Sequence, residues 1–220
     1  MTISTPPKAL DKPFGEVIFS SSDIVTAQCY KENISNNPLK QSIIQGSTVK
    51  VVSSYDNSYC AFGLITKINN TSLDSIHKPS ALGLTSTELE HLQPQVYDLL
   101  RKEVEIYLFA YKEKEGEIFN YSPVKPMMIH DIVYQTIEKE VLKLTETEGL
   151  TNLISLIKKS QLKPDLLINL ISQAYKLREC DYNYLVKAGQ QLTLAFSDEI
   201  ESLMQVLNRL SPKTKLTNKP

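Results

Sequence analysis

The sequence predicts an α+β fold in which a small antiparallel β-barrel is followed by an α-helical domain. Short runs with a two-residue apolar period occupy the first half of the chain. After Thr136 the apolar residues recur at helical spacing instead. Between the two halves, the segment 104–134 carries two β-like runs around a turn and then two prolines. The architecture of the chain is therefore expected to change at this segment.

About six short strands make up the predicted barrel, which spans residues 14–122 and follows a proline-rich start, 1–13, expected to be disordered. Turn-forming residues separate the strands, which are expected at 15–20, 23–30, 47–53, 59–69, 104–111 and 117–121. Gly63, inside the fourth strand, indicates a bulge or a tight bend. A closed barrel is favoured because closure leaves no exposed sheet edge.

A helical insertion is predicted at 71–103, between the fourth and fifth strands. Thr85 and Glu88 have the spacing of a capping box, and Pro94 suits the first turn of a second helix. We expect the insertion to lie across one opening of the barrel. Its apolar residues would then form a buried stripe: Leu84, Leu89, Leu92, Val96, Leu99 and Leu100.

The helical domain is predicted at 136–211, with a basic disordered tail at 212–220. Gly149 is expected to end its first helix, and Asp181 to cap a later one. Several helices with short connections indicate a compact bundle. The segment 123–135 is expected to be a stiff linker, because its prolines restrict how the two halves can be oriented.

Composition excludes several classes of protein. The chain has 24 basic and 25 acidic residues and a net charge of -1, which argues against a dedicated duplex nucleic-acid binder. Its start lacks the pattern of an export signal, and no apolar run is long enough for a transmembrane helix. Three widely spaced cysteines fit reduced thiols. We expect a cytoplasmic protein, at most peripheral to a larger or membrane-associated complex.

No combination of residues predicts catalysis, a metal or a cofactor. The chain has 7 glycines and no Gly-rich phosphate loop. His77, His91 and His130 lack the paired spacing of a zinc site. His130 precedes Asp131, so it is either a base oriented by that carboxylate or a histidine hydrogen-bonded at a domain junction. Cys60 fits a small hydrophobic residue in a strand.

The candidate interaction surface includes tyrosines, which are frequent in this chain. Their rings either stack on bases or pack against the barrel. The two prolines form a Pro-x-x-Pro sequence, which is either a recognition motif or a spacer. The predicted interaction residues are Tyr107, Tyr111, Tyr121, Pro123, Pro126 and His130.

Four strings carry a resemblance to a known family: GLITKINNTSLD, ALGLTSTELEHLQPQVYDLL, VEIYLFAY and SPVKPMMIHDIVY. Together they resemble HAS-barrel proteins, whose barrel occurs in DNA-translocating HerA ATPases and in ATP synthase catalytic subunits. Over residues 14–210 the chain resembles the stand-alone HAS-barrel proteins of cyanobacteria, which append a helical domain. In the ATPases the barrel helps arrange subunits, while a separate P-loop domain catalyses hydrolysis.

The resemblance implies interaction without catalysis, because this sequence has no G-x-x-x-x-G-K-[ST] motif. We expect an assembly protein that docks onto a larger complex through its barrel and its helical domain. The partner classes implied by the family's usual hosts are photosynthetic, ATP-synthase and ribonucleoprotein assemblies. The alternative hypothesis is a barrel that binds single-stranded nucleic acid through its tyrosines.

Overall fold

The structure is a computed structural model that describes residues 13–30, 43–74, 80–114 and 116–210. The predicted disorder at 1–12 and 212–220 lies outside these ranges, and so does His77. Pro13, at the end of the predicted disordered start, begins the first strand.

Seven strands form one antiparallel sheet. They are β1 (Pro13–Ser20), β2 (Ile24–Cys29), β3 (Thr48–Val52), β4 (Tyr59–Ser72), β5 (Leu100–Glu113), β6 (Ile118–Phe119) and β7 (Ile132–Gln135). The strand order is β2-β1-β7-β3-β4-β5-β6, and an additional pairing of β2 with β5 closes six of the strands into a barrel. The prediction of an α+β fold with a six-stranded antiparallel barrel is therefore confirmed.

The sixth strand of the barrel differs from the sequence prediction. Residues 117–121 were expected to close the barrel, but Ile118–Phe119 pairs only with the outer end of β5. The closing strand is β7, which pairs with both β1 and β3. It lies within 123–135, the segment expected to be a linker. Val133 of β7 is fully buried in the barrel. The backbone groups of β7 pair with the edges of β1 and β3, which would otherwise be left without hydrogen-bond partners.

The barrel encloses its own hydrophobic core. Side chains from every strand of the ring point inward: Val17, Val25, Ala27, Val49, Val51, Ala61, Ile65, Val104, Ile106, Leu108 and Val133 are among them. The pairing of β4 with β5 shifts register between Phe62 and Gly63, which is the irregularity expected at this glycine. A side chain at Gly63 would overlap Ile106, so the bend depends on glycine.

In the described part of the chain, seven helices account for the rest of the regular structure: α1 (Ser86–Leu92), α2 (Pro94–Leu99), α3 (Glu138–Leu144), α4 (Thr147–Lys159), α5 (Asp165–Leu177), α6 (Tyr182–Ala195) and α7 (Ile200–Leu210). The Asp181 side chain accepts a hydrogen bond from Asn183 N at the start of α6, as predicted. The prediction that Gly149 ends a helix is wrong. Gly149 lies in the first turn of α4, where the Leu144 carbonyl approaches too closely for a Cβ.

The helices α3 to α7 pack on the outer face of the barrel. Phe62 and Leu64 of β4 and Phe109 and Ala110 of β5 point away from the barrel interior and join the core of the helical domain. Because side chains alternate along a strand, β4 and β5 contribute apolar residues to both cores. The barrel and the helical domain therefore share two strands as a common wall.

Polar contacts fix the orientation of the two halves. The Tyr107 hydroxyl on β5 lies 3.2 Å from Asp23 Oδ2 and accepts a hydrogen bond of 2.8 Å from Ser160 Oγ at the end of α4. Lys50 Nζ of β3 forms an ion pair of 2.8 Å with Glu140 of α3. These contacts join residues far apart in the sequence, so the helical domain cannot swing on a flexible linker.

The helical insertion does not cover the barrel opening. The predicted capping box of Thr85 and Glu88 is present, and Pro94 begins α2 as expected. However, β4 and β5 pair with each other as far as Ser72 and Leu100, beyond the end of β3. This ribbon carries α1 and α2 away from the barrel. The stripe expected to be buried is consequently exposed at four positions: Leu84, Leu92, Leu99 and Leu100.

Candidate interaction surface

The segment 121–131, which we call the cap, closes one end of the barrel. At this end β1, β3 and β5 finish and β2, β4 and β7 begin. Met127 is fully buried and belongs to the barrel core. Its carbonyl oxygen accepts a hydrogen bond of 2.5 Å from Ser20 Oγ at the end of β1. Pro123 and Pro126 therefore lie in a segment that packs against the end of the barrel, where the sequence suggested a spacer.

Asp131 ties the cap to the neighbouring loop. Its side chain is fully buried. Oδ1 accepts hydrogen bonds from Ser54 N at 2.7 Å and from Ser54 Oγ at 2.8 Å, and Oδ2 accepts one from Met128 N at 2.6 Å. A buried carboxylate is tolerated when several donors compensate its lost hydration. The two bonds to Ser54 join the cap to the loop between β3 and β4, and the bond from Met128 N closes a turn within the cap.

An aromatic cluster forms the other side of the cap. The Tyr111 ring stacks on Phe119, with centroids 5.1 Å apart, and meets the edge of Tyr121 at 5.6 Å. Tyr59 lies 6.0 Å from Tyr111, and its hydroxyl donates to the Lys125 carbonyl at 3.0 Å. The Lys125 ammonium lies over the Tyr59 ring, 5.2 Å from the centroid. Such contacts hold the start of the cap against β5 and β6.

Apolar side chains remain exposed around this rigid frame. Their exposed fractions range from 41 % for Ile18 to 83 % for Tyr55. We call this set the cap surface: Ile18, Phe19, Tyr55, Tyr121, Val124, Met128 and Ile129. A cluster of exposed aliphatic and aromatic residues around one structural feature is typical of a surface that binds another macromolecule.

The structure brings five of the six predicted interaction residues to this end of the barrel. Tyr121 and Pro126 are exposed, Pro123 is half-buried, and His130 lies at the end of the cap. Tyr111 belongs to the cluster but is buried, with only 7 % of its surface exposed. Tyr107 lies elsewhere, at the junction with α4. The exposure of most apolar residues of the cap surface could not be predicted from the sequence, because an exposed hydrophobic residue has no distinguishing sequence pattern.

His130 does not form the pair with Asp131 that a general base would need. It is 77 % exposed, and its Nδ1 contacts Glu16 on β1. The backbone φ of His130 is +74°, a conformation that costs a residue with a side chain about 1 kcal/mol or more. This conformation places the His130 amide within 2.9 Å of the Val17 carbonyl. The residue thus fixes the route of the cap into β7.

Metal-ligating side chains do not cluster among the described residues. Within them, no three His, Cys, Asp or Glu side chains lie close enough to bind a metal ion. A cavity of about 350 Å³ opens at the other end of the barrel, against α5. Among the residues that line it, Lys176 carries the sole ionisable side chain, with neighbours such as Phe14, Val49 and Thr136.

The cysteines differ in exposure and in acidity. Burial raises the pKa of the Cys29 thiol to about 11, and it also raises the pKa of Cys60. Cys180 is exposed at the end of α5. Thiolates react with electrophiles and thiols do not, so a raised pKa and burial both protect Cys29.

We therefore expect iodoacetamide to alkylate the three cysteines of the native protein unequally at pH 8. Because its pKa is raised by about two units, Cys29 should carry roughly 100-fold less thiolate than an unshifted thiol. Peptide mass spectrometry should find Cys180 modified and Cys29 intact, with all cysteines modified after unfolding in urea. Equal rates for Cys29 and Cys180 in the native protein would contradict the closed barrel core.

No helix in the described part of the chain combines the length and apolar character needed to cross a bilayer. No known protein-family model matches the sequence, and no match was found among curated proteins.

Proposed function

We propose that this protein is a non-catalytic interaction protein that docks onto a larger protein assembly through the cap surface. The observation that carries the proposal is the exposure of seven apolar side chains around a cap that the buried Met127 and the hydrogen bonds of Asp131 anchor to the barrel. Binding through a mobile loop would be weakened by the conformational entropy lost when the loop becomes ordered. Here the segment is already ordered in the folded protein, because Met127 and Asp131 anchor it.

The chemistry of the cap surface favours a protein partner. Phe19, Tyr55 and Tyr121 supply aromatic area, and Met128 supplies an adaptable side chain, both of which are enriched at protein interfaces. One cation near the cap surface, Lys125, is already paired with Glu113 at 3.3 Å. The occupant we infer is therefore an apolar face of a protein subunit.

Exposed apolar residues on the helical domain also support a role in assembly. Leu194 at the end of α6 is 80 % exposed, and Ile200 and Met204 lie one turn apart on α7 with most or half of their surface open. These residues and the cap surface belong to different halves of the chain. A protein that exposes apolar residues on both halves can join two partners or two parts of one complex.

The resemblance to stand-alone HAS-barrel proteins of cyanobacteria agrees with this proposal. In the ATPases of that family, the barrel contributes to subunit arrangement and another domain catalyses. A photosynthetic, ATP-synthase or ribonucleoprotein assembly is the class of partner that the resemblance suggests. The proposal of docking itself rests on the cap surface and does not depend on which of these assemblies is involved.

Single-stranded nucleic-acid binding is the weaker proposal. It requires tyrosine rings that are free to stack on bases and cations that are free to contact phosphates. The hydroxyl of Tyr107 is engaged at the helical domain, and the Tyr111 ring is buried between Tyr59 and Phe119. Of the three predicted tyrosines, Tyr121 alone remains more than half exposed.

The decisive test is affinity purification of tagged protein from its native cells. We expect a stoichiometric complex with wild-type protein and loss of at least 90 % of the partner with Ile129→Glu, because a buried unpaired carboxylate is costly at an interface (about 10-fold or more in affinity). Thr151→Glu, which adds the same charge at an exposed position of α4, is the matched control and should retain the partner.

Two outcomes would overturn the proposal. One is a lone wild-type monomer at every salt concentration, and the other is equal recovery of the partner by Ile129→Glu. Fluorescence anisotropy with short single-stranded DNA and RNA tests the alternative directly. Binding that weakens steeply with salt and is lost with Tyr121→Ala would favour the nucleic-acid hypothesis instead.

A further inference from the structure

The loop between β3 and β4, residues 53–58, holds an aromatic side chain clear of the barrel. Tyr55 is 83 % exposed, more than any other residue of the cap surface. The next aromatic residue of that surface, Phe19, is 56 % exposed. The loop lies within the described range 43–74, at the barrel end where β3 finishes and β4 begins. Its own fold therefore leaves almost the whole Tyr55 side chain available to another molecule.

Hydrogen bonds within the loop fix the backbone around this side chain. The Ser53 hydroxyl accepts hydrogen bonds from Tyr55 N and Asp56 N, each at 3.3 Å. The Asp56 carboxylate accepts one from Ser58 N at 3.0 Å, and the Asp56 carbonyl accepts one from Tyr59 N at 2.8 Å. Such side-chain contacts to nearby amides are what stabilise a tight turn. The position of Tyr55 is thus set by folding.

The same loop is bonded to the cap. Ser54 N and Ser54 Oγ donate to one oxygen of the Asp131 carboxylate, and Met128 N donates to the other. Tyr55 follows Ser54 in the chain, and Ile129 follows Met128. One buried carboxylate therefore fixes where Tyr55 stands relative to Met128 and Ile129, both of which are about half exposed.

We propose that Tyr55 is the anchor residue of the docking interface, and that it inserts into a recess on the partner that also hydrogen-bonds its phenol hydroxyl. This inference rests on the proposed function and names the partner feature that the cap surface selects. The core of an interface packs as densely as a protein interior, so a protruding side chain requires a matching recess. A tyrosine hydroxyl that becomes buried needs a hydrogen-bond partner. The recess therefore has apolar walls and a polar group at its base.

The chemistry of tyrosine distinguishes Tyr55 from other exposed residues. A covered tyrosine buries about 150 to 250 Å² and loses the freedom of only two side-chain torsions. Because the loop is already ordered, its backbone has little further freedom to lose on binding. Leu194 on the helical domain is almost as exposed, at 80 %, but leucine is under-represented among the residues that dominate binding energy, whereas tyrosine is enriched.

Competition in a lysate of the native cells tests the anchor. Tagged wild-type protein captures the partner, and untagged full-length variants compete for it at increasing concentration. Half-displacement by Tyr55→Ala should need at least about 30-fold more protein than by wild type. Tyr55→Phe, which loses only the hydroxyl, should need about 3- to 10-fold more. The matched control, Tyr182→Ala, removes a tyrosine that is 63 % exposed on α6 and should compete as wild type does.

A loop variant tests whether the fixed backbone contributes to binding. Ser53→Ala keeps the Tyr55 side chain but removes the acceptor of two amide hydrogen bonds. The amides of Tyr55 and Asp56 should then exchange faster with solvent, and half-displacement should need several-fold more protein. Faster exchange with unchanged displacement would overturn the preorganised anchor.

Failure of the anchor and failure of docking give different results. If Tyr55→Ala or Tyr55→Phe competes as wild type does while Ile129→Glu does not, the anchor is wrong and the cap surface still docks. If Ile129→Glu also competes as wild type does, the docking proposal fails and the anchor fails with it. The urea unfolding midpoints of both Tyr55 variants should match that of wild type, because the side chain is exposed. Weak competition by a stable Tyr55→Ala therefore reports binding and not folding.

Discussion

Replacing Asp131 with alanine is expected to lower the free energy of unfolding by about 3 kcal/mol. The substitution leaves three donors without their acceptor: Ser54 N, Ser54 Oγ and Met128 N. It also leaves a void where a fully buried side chain was packed. Equilibrium unfolding in urea, followed by circular dichroism, measures the change.

Two further substitutions separate the causes of this loss. Ser54→Ala removes one hydroxyl donor and should cost about 1 kcal/mol, since Asp131 keeps its two backbone donors. Asp56→Ala removes an exposed carboxylate from the same loop, which accepts hydrogen bonds from Ser58 N and Ser58 Oγ, and should cost no more than about 1 kcal/mol. If Asp131→Ala is no more destabilising than Asp56→Ala, the hydrogen-bonded cap described above is incorrect.

Replacing Gly46 with alanine should destabilise the contact between the barrel and the helical domain. The φ of Gly46 is +82°, which costs an L-residue about 1 to 2 kcal/mol. In addition, the new Cβ would overlap the Leu166 carbonyl oxygen of α5 and lie 3.0 Å from Asn169 Cβ. Because the backbone of a helix cannot shift as readily as a side chain, we expect the free energy of unfolding to fall by about 3 kcal/mol in total.

Gly83→Ala is the matched control for Gly46→Ala. Gly83 also has a positive φ, +69°, but its Cβ would meet no atom within 4 Å. The control therefore isolates the conformational penalty, which should lower the free energy of unfolding in urea by about 1 to 2 kcal/mol. The additional loss of unfolding free energy in Gly46→Ala, compared with Gly83→Ala, measures how tightly α5 packs against the turn before β3. Equal effects of the two substitutions would mean that α5 does not press on the turn before β3.

Much of the fold was predictable because local periodicity and tertiary structure agree. The inward residues of β2 and β3, such as Val25 and Val51, alternate with residues that face outward, so the two-residue period was visible. In the same way, Leu166, Leu170 and Ala174 mark the buried face of α5. Capping by Thr85 and Asp181 depends on neighbours within three residues. Interactions of such short range can be read from a sequence.

The errors arise where long-range contacts decide the structure. β7 has 4 residues, too few for a period to be visible, and it exists because the edges of β1 and β3 need a partner. The apolar stripe of α1 and α2 predicted burial, but the length of the β4–β5 ribbon decides where that stripe lies. Periodicity shows that a face is apolar and does not show what covers it.

The candidate site was only partly predictable, for a related reason. Tyr121, Pro126 and His130 stood out by residue type, and all of them lie in the cap. Val124, Met128 and Ile129 resemble core residues in the sequence and are exposed in the structure. Tyr107 was selected by type as well, but its position on β5 directs it to Ser160. Residue type suggested the cap, and only the coordinates separate its buried residues from its exposed ones.

The place of β7 in the barrel has a consequence for biosynthesis. β7 is the last strand to be translated, yet it lies between β1 and β3. A nascent chain that ends before Ile132 therefore carries two unsaturated strand edges, and the cylinder cannot seal until Gln135 has left the ribosome. A fragment that ends within the cap would share this defect. The N-terminal half expressed alone should therefore not fold into the native barrel.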